Sequence, residues 1–385
     1  MPEYTFGVIS DLHCRLETDA RDSFLTVGSL RMPANRHPVQ ALLSLITNEG
    51  LTTDALLVPG DLTNKARREG LNAGWDYSRE IGAALHARAI IPVIGNHDIN
   101  SRRDHTQPPV FHDIRNLHPD FPFSDDAQNQ SYFSDGYCVV RLQNADIIAI
   151  NTVIDHTDET SAMRGTFGID RIERMENALT GTLNAPFRIA LMHHHPILHS
   201  GSLMGDADVL ATGDSLIASL DRLGCRLVIH GHKHLARLSV LNGMAVMASG
   251  SFSAMLFEYA TAFTNTFHTV HLEGNSPANV RGKIRTWAFR YGSGWQKANE
   301  TYCGLPFICG FGNNIALQTL AQSLVNLASN GNNRFTEDQV RLAVPTLDFL
   351  TPSERVSLNA ALHSNGLKLS SLDDGRPELW KEYIP

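Results

Sequence analysis

Arg226-Leu227-Val228-Ile229-His230-Gly231-His232-Lys233-His234 is the stretch on which the reading of this chain turns. Arg226 to His230 is a short aliphatic and β-branched run, the pattern of a strand buried on both faces, and Gly231 closes it. His232 and His234 follow two positions apart. After a buried strand such imidazoles rarely need each other for structure, whereas a divalent metal does need them.

The same design recurs upstream. Apolar runs at Thr5 to Ser10, Ala55 to Pro59, Ile90 to Gly95 and Arg188 to Met192 each end at a polar block: Asp11-Leu12-His13, Gly60-Asp61, Gly95-Asn96-His97-Asp98 and His193-His194-His195-Pro196. Strand ends in α/β sheets are where side chains converge on a crevice. Taken singly, Asp11 with His13 reads equally as a strand-end cap beside a surface imidazole, and Gly60-Asp61 as a common turn. Together they supply carboxylates, imidazoles and an amide oxygen, the donor set of a first-row divalent ion. The seven ligands that these blocks offer are more than one ion needs, so two ions sharing a ligand fit better.

Between these strands, helical patterns run from Pro38 to Glu49, Ala66 to Ala87, Gly168 to Thr180 and Gly213 to Leu223, and further strands are expected at Asp146 to Asn151 and Met244 to Ser249. This alternation predicts a layered α/β fold. Late strands at Thr266 to Leu272 and Val280 to Tyr291 alternate apolar with polar residues, which predicts a half-exposed edge of a second sheet. Residues 1–291 are expected to form the catalytic domain and 292–385 a mainly helical extension or cap. Capping boxes stand at Thr336 with Gln339 and at Thr351 with Glu354, and Leu317, Leu320, Leu324 and Leu327 form a stripe that should pack on the catalytic domain or on a sister subunit.

Of the 385 residues 42% are hydrophobic and 19% charged, and no apolar run reaches the roughly 18 residues of a membrane span. The start, Met1-Pro2-Glu3, lacks a secretory signal pattern, so a soluble, cytoplasmic protein is expected. Five cysteines without a Cys-x-x-Cys pair indicate reduced thiols rather than a disulfide framework or thiolate zinc site. A net charge of −8 argues against extended nucleic acid as the main partner; Arg102, Arg103, His105 and Arg115 in a long loop read either as a solvated loop or as a local phosphate-binding rim.

In this order the blocks resemble the calcineurin-like metallophosphoesterase superfamily, whose pattern is Asp-x-His, Gly-Asp, Gly-Asn-His-Asp/Glu, His and Gly-His-x-His. The resemblance covers about residues 4 to 291 and is nearest to the bacterial cyclic-nucleotide phosphodiesterase and glycerophosphodiesterase branch. It implies a four-layer α/β/β/α sandwich holding two divalent ions (manganese, iron, zinc, nickel or cobalt). Asp11, His13 and His234 would hold the first ion, Asn96, His193 and His232 the second, and Asp61 would bridge them. A slip of one residue would put His194 in place of His193, and His230 reads as structural. Purple acid phosphatases carry a tyrosine, and Ser/Thr protein phosphatases an arginine, in the loop where this chain has Asn64. Hydrolysis of a small phosphodiester by a metal-bridging hydroxide is therefore expected, with His97 as the group that protonates the leaving alkoxide and Asp98 as its orienter. Phosphomonoesterase, nuclease and non-catalytic scaffold are the alternatives.

Overall fold

A computed structural model describes residues 1–28, 33–101, 111–115, 117, 121–199, 208–255, 265–329, 331–371 and 376–381. The first sheet begins with β1 (Glu3–Val8), β2 (Ala55–Val58) and β3 (Ala89–Pro92), which run parallel. The second holds β4 (Tyr137–Arg141), β5 (Ala145–Ile150), β6 (Phe187–Leu191), β7 (Leu227–His230), β8 (Ala236–Leu241) and β9 (Met244–Ser249), in the order β4-β5-β6-β7-β9-β8. Its four central strands are parallel and its two edge strands antiparallel. The chain then returns to the first sheet with β10 (Asn265–Glu273), β11 (Arg281–Arg290), β12 (Gly294–Lys297) and β13 (Ile308–Phe311).

The period-2 alternation of strand side chains separates two cores. From β5, β6, β7 and β9, residues Ala145, Ile147, Ala149, Ile189, Leu191, Leu227, Ile229, Ala245 and Met247 join Phe6 and Val8 of the first sheet in one buried cluster. Their neighbours Ile148, Ile150, Ala190, Met192, Val228, Met244 and Val246 face the other way, onto Ile172 and Met175 of helix Ile169–Leu179 and Leu216 and Leu220 of helix Gly213–Arg222. Helices Pro38–Glu49 and Arg68–Ala84 pack on the first sheet. The result is the expected α/β/β/α layering.

β10 departs from the expectation of a half-exposed edge. It lies between β1 and β11 in the first sheet and is almost wholly buried. Thr266 and His268 are not solvated; they bond across to the end of β9. Thr266 Oγ1 donates to the Ser249 carbonyl (2.7 Å), and His268 bonds the same carbonyl through Nε2 (2.7 Å) and Thr286 Oγ1 through Nδ1 (2.9 Å). Polar alternation here marks satisfied buried groups rather than a wet face.

Beyond β13 a separate apolar cluster forms around Leu324, Phe335, Val340, Leu358, Leu362 and Leu379. Helices Leu317–Ala328, Glu337–Ala343 and Pro352–His363 contribute to it, together with a small sheet of β14 (Arg334–Phe335), β15 (Leu367–Ser371) and β16 (Pro377–Lys381) that the helical reading did not contain. Both capping boxes are present. This unit joins the first sheet through Asp348, which meets Lys283 of β11 (3.3 Å) and Arg341 (2.6 Å), and through the Gly310 N–H, which donates to the Leu350 carbonyl (2.9 Å). No described helix is long and apolar enough to cross a membrane.

Candidate metal centre

Every motif block sits just past the C-terminal end of its strand: Asp11 and His13 after β1, Asp61 after β2, Asn96 after β3, His193 after β6, and His232 and His234 after β7. The blocks occupy unusual backbone. Asp11, His13, Asp61, His232 and His234 all have positive φ (53°, 47°, 55°, 83° and 54°), a region that costs a non-glycine residue of order 1 kcal/mol or more. Such turns redirect the chain so that alternate side chains point into one space. The turns are fastened across the sheets: Asp11 N–H donates to Gly60 O (3.0 Å), His13 N–H to Asp61 O (2.9 Å), Gly231 N–H to His193 O (3.0 Å), and His232 N–H to Asp11 Oδ1 (3.0 Å).

The motif glycines are required by closeness. A Cβ on Gly95 would collide with Asp61 Oδ1 and stand 2.5 Å from the Asp61 nitrogen, and one on Gly231 would stand 2.5 Å from Asp11 Oδ2. Gly95→Ala should therefore retain a cooperative melt but bind divalent metal at least about ten-fold more weakly, the scale of a displaced supporting group. Metal titration followed by calorimetry measures it, and wild-type affinity would contradict the packing argument.

Two groups of donor atoms result. In the first, His13 Nε2 lies 2.9 Å from His234 Nε2, 3.8 Å from Asp11 Oδ1 and 3.6 Å from Asp61 Oδ2, and His234 Nε2 lies 3.4 Å from Asp11 Oδ1. In the second, His193 Nε2 is 3.0 Å from Asn96 Oδ1 and 3.3 Å from Asp61 Oδ2, and His232 Nδ1 is 3.0 Å from Asn96 Oδ1. Donor atoms about 2.1 Å from one ion lie roughly 3.0 to 3.4 Å apart, so both groups are close to ligating spacing.

The far nitrogens fix the tautomers. His193 Nδ1 is 2.7 Å from the Pro59 carbonyl and His232 Nε2 2.7 Å from the Met163 carbonyl, so each must donate there. Lone pairs are then left on His193 Nε2 and His232 Nδ1, facing Asn96 Oδ1, another acceptor. Converging lone pairs call for a cation. Asp61 makes the same point: its Oδ1 accepts from the His97 N–H (2.8 Å), but Oδ2, buried between the two groups, has no hydrogen-bond partner among the described residues. The residues present thus fit a pair of divalent ions. Without an ion, burial disfavours charge on His193, but the Asp61 carboxylate outweighs it and raises His193 to about 9, so Nε2 then holds a proton that a bound cation would displace. Against the same burial, neighbouring imidazoles hold Asp11 and Asp61 well below the usual carboxylate range.

His194 lies beside the second group, its ring centroid 4.4 Å from that of His232, but its nitrogens are taken up elsewhere. Its Nε2 donates to the Ala162 carbonyl (3.1 Å) and its Nδ1 meets Thr152 Oγ1 (2.8 Å), so both ring nitrogens are engaged behind the centre. His230 also faces away, towards His199. Arg102, Arg103 and His105 lie outside the described residues, and Arg115 packs over the Phe133 ring at 4.8 Å.

Asp98 corrects the sequence reading. It does not orient His97. Its Oδ2 accepts from the backbone N–H of Asp61 (2.8 Å) and Gly95 (2.9 Å), and its Oδ1 from that of Thr63 (3.0 Å), so it ties the second and third motif loops together. Burial, then the Asp61 charge, pushes Asp98 up to about 7. The His97 partner is Asn64, whose Oδ1 is 3.1 Å from His97 Nδ1 while its Nδ2 donates to Asp22 Oδ2 (2.6 Å). Burial is the largest influence on His97, lowering it to about 4, with Asp61 opposing. Asn64 was noted in the sequence only as a departure from other branches; no local spacing reveals that it meets His97.

Two sheets whose C-terminal strand ends enclose paired carboxylate–imidazole groups define a metal-dependent hydrolase of the dinuclear kind. The chain belongs to the calcineurin-like phosphoesterase family, whose model matches residues 4–236. That family uses a dinuclear divalent metal centre. Among solved structures the chain is similar to a dimetal phosphatase from Danio rerio (14% identity, 75% of this chain and 99% of that one, TM-score 0.46). It is also similar to a purple acid phosphatase from yellow lupin seeds (15% identity, 77% and 53%, TM-score 0.47) and to a 5'-nucleotidase precursor from Thermus thermophilus (14% identity, 74% and 54%, TM-score 0.40). No curated protein matches the chain in sequence.

Proposed function

We propose that this chain is a dinuclear metal-dependent phosphodiesterase acting on a small phosphate ester, with Asp11, His13 and His234 holding one divalent ion, Asn96, His193 and His232 the other, and Asp61 between them. The observation that carries the reading is the orphaned Asp61 Oδ2, 3.6 Å from His13 Nε2 and 3.3 Å from His193 Nε2. When bound, the two ions supply Lewis-acid polarisation of the phosphoryl oxygens and a nucleophile from water near neutral pH.

The protein's own residues do the rest. Asp11 fixes the His232 turn through its backbone N–H, and the Pro59 and Met163 carbonyls fix the ligating tautomers of His193 and His232. His97 is half-buried, lies 4.8 Å from the His13 ring by centroid, and is free of the proposed ligand set. Asn64, aligned by Asp22, orients its Nδ1–H and leaves Nε2 as the atom that takes up a proton and delivers it to the departing alkoxide. An anionic substrate beside the ring favours its protonated form.

The preference for diesters rests on the resemblance to the diesterase branch and on the absence of the protein-phosphatase arginine from the loop that follows Gly60 and Asp61. Initial rates of the manganese-loaded protein on bis-p-nitrophenyl phosphate and p-nitrophenyl phosphate test it. The diester should be turned over faster, by about ten-fold, the effect of one well-placed phosphate contact. A large monoester preference would reverse the assignment while leaving the metal centre intact.

A further inference from the structure

A second cluster of imidazoles lies beside the proposed dinuclear centre and is not used by it. His195 follows β6, His230 ends β7, and His199 comes from the segment after Pro196; they are 1%, 0% and 2% exposed. One ring nitrogen of each lies within 4.8 Å of the others. His199 Nε2 and His230 Nε2 are 2.9 Å apart, the same separation as the His13 and His234 Nε2 atoms of the dinuclear centre. The far nitrogens are again engaged: His230 Nδ1 is 3.3 Å from the Gly231 carbonyl and His199 Nδ1 is 3.0 Å from Ser239 Oγ.

The third member decides between two explanations. An ordinary imidazole-to-imidazole hydrogen bond would account for His199 and His230, but it leaves His195 unexplained. The His195 ring centroid is 4.2 Å from that of His230 and 5.7 Å from that of His199, and neither of its nitrogens has a hydrogen-bond partner among the described residues. A buried polar group left unsatisfied costs about 1 to 3 kcal/mol, so a neutral imidazole with both nitrogens unmatched is a poor core residue. A cation on the lone-pair nitrogen removes the part of that cost that belongs to the acceptor.

We propose that His195, His199 and His230 form a third divalent-cation site, separate from the dinuclear pair. Three neutral imidazoles without a carboxylate favour zinc over manganese, whereas the carboxylate-containing pair accepts manganese. The ion would pin the segment carrying His199, and through Ser239 the strand β8, against the ends of β6 and β7.

The test is metal content of the full-length protein, exchanged into zinc and passed through gel filtration, for wild type, His199→Gln, Asp61→Asn and the double variant. The expected contents are about three, two, one and zero ions per chain, since Asp61 belongs only to the pair and His199 only to the third site. A His199→Gln protein that melts cooperatively and keeps the wild-type content overturns the proposal. If that variant does not fold, zinc-edge X-ray absorption of Asp61→Asn decides. A shell of imidazole nitrogens at about 2.0 Å supports the site, and absence of bound zinc or an oxygen-only shell overturns it. Failure of the dinuclear reading is distinguishable, because wild type would then exceed His199→Gln by one ion while Asp61→Asn lost none.

Discussion

Asp61→Asn should abolish turnover, lowering kcat by about 1000-fold or more, and should empty the dinuclear centre while the fold persists. The side chain is nearly isosteric, so packing changes little, but neither orientation of the amide serves both neighbours. Asp61 Oδ1 accepts the His97 N–H at 2.8 Å, and Oδ2 points between His13 Nε2 and His193 Nε2. With the amide oxygen towards His97, the NH2 group presents hydrogens to the space where the ions sit. With the amide turned over, a donor faces the His97 N–H and that turn is lost. Elemental analysis, circular dichroism and rates at saturating manganese measure the three consequences. A folded variant with undiminished metal at the pair and undiminished activity would mean that Asp61 does not bridge.

His97→Ala should lower kcat on an alkyl diester by about 100- to 10,000-fold, with metal content and KM little changed. The size follows from the proton: an alkoxide is a poor leaving group, and the Nε2 atom of a ring oriented through Asn64 can protonate it as the bond breaks. A nitrophenolate leaves unprotonated, so on an aryl diester the same variant should lose much less. Were His97 only a packing residue that steadies Asn96 and Asp61, both esters would suffer equally and the metal would fall with them. Equal losses with parallel metal loss would therefore end the proton-donor role.

Much of the architecture could be read from the chain because local and tertiary demands agree there. Ala55–Val58 is wholly apolar, and Leu227–His230 is apolar up to His230, because both faces are covered, and each ends where backbone of positive φ is needed. The hairpin of β8 and β9 was also written in the sequence, as Asn242-Gly243 with φ of 50° and 79°, but the polar residues of the edge strand β8 obscured it. β10 misled because its Thr266 and His268 look solvated and are instead bonded to Ser249. In the C-terminal unit, two-residue β14 and the mixed β15 and β16 carry too little period to be recognised.

The site divided in the same way. Donor types and their order along the chain were legible, since residue chemistry and strand ends suffice to bring them together. Roles that depend on three-dimensional company were not. Asp98 follows His97 in sequence yet turns away to hold three backbone N–H groups, and the partner of His97 is Asn64, which is itself tied to Asp22. Three consecutive histidines likewise diverge: His193 faces Asn96 and Asp61, His194 faces Thr152 and Ala162, and His195 faces His230. Chain adjacency carries no information about which of the three turns into the centre.

The central claim is that Asp61 lies between two divalent ions, and anomalous diffraction from crystals of the manganese-loaded protein tests it most directly. The account predicts two manganese peaks about 3.5 to 4 Å apart, one among Asp11, His13 and His234, the other among Asn96, His193 and His232, with Asp61 Oδ2 reaching both. A single peak, or peaks remote from Asp61, in protein that is fully active would contradict it.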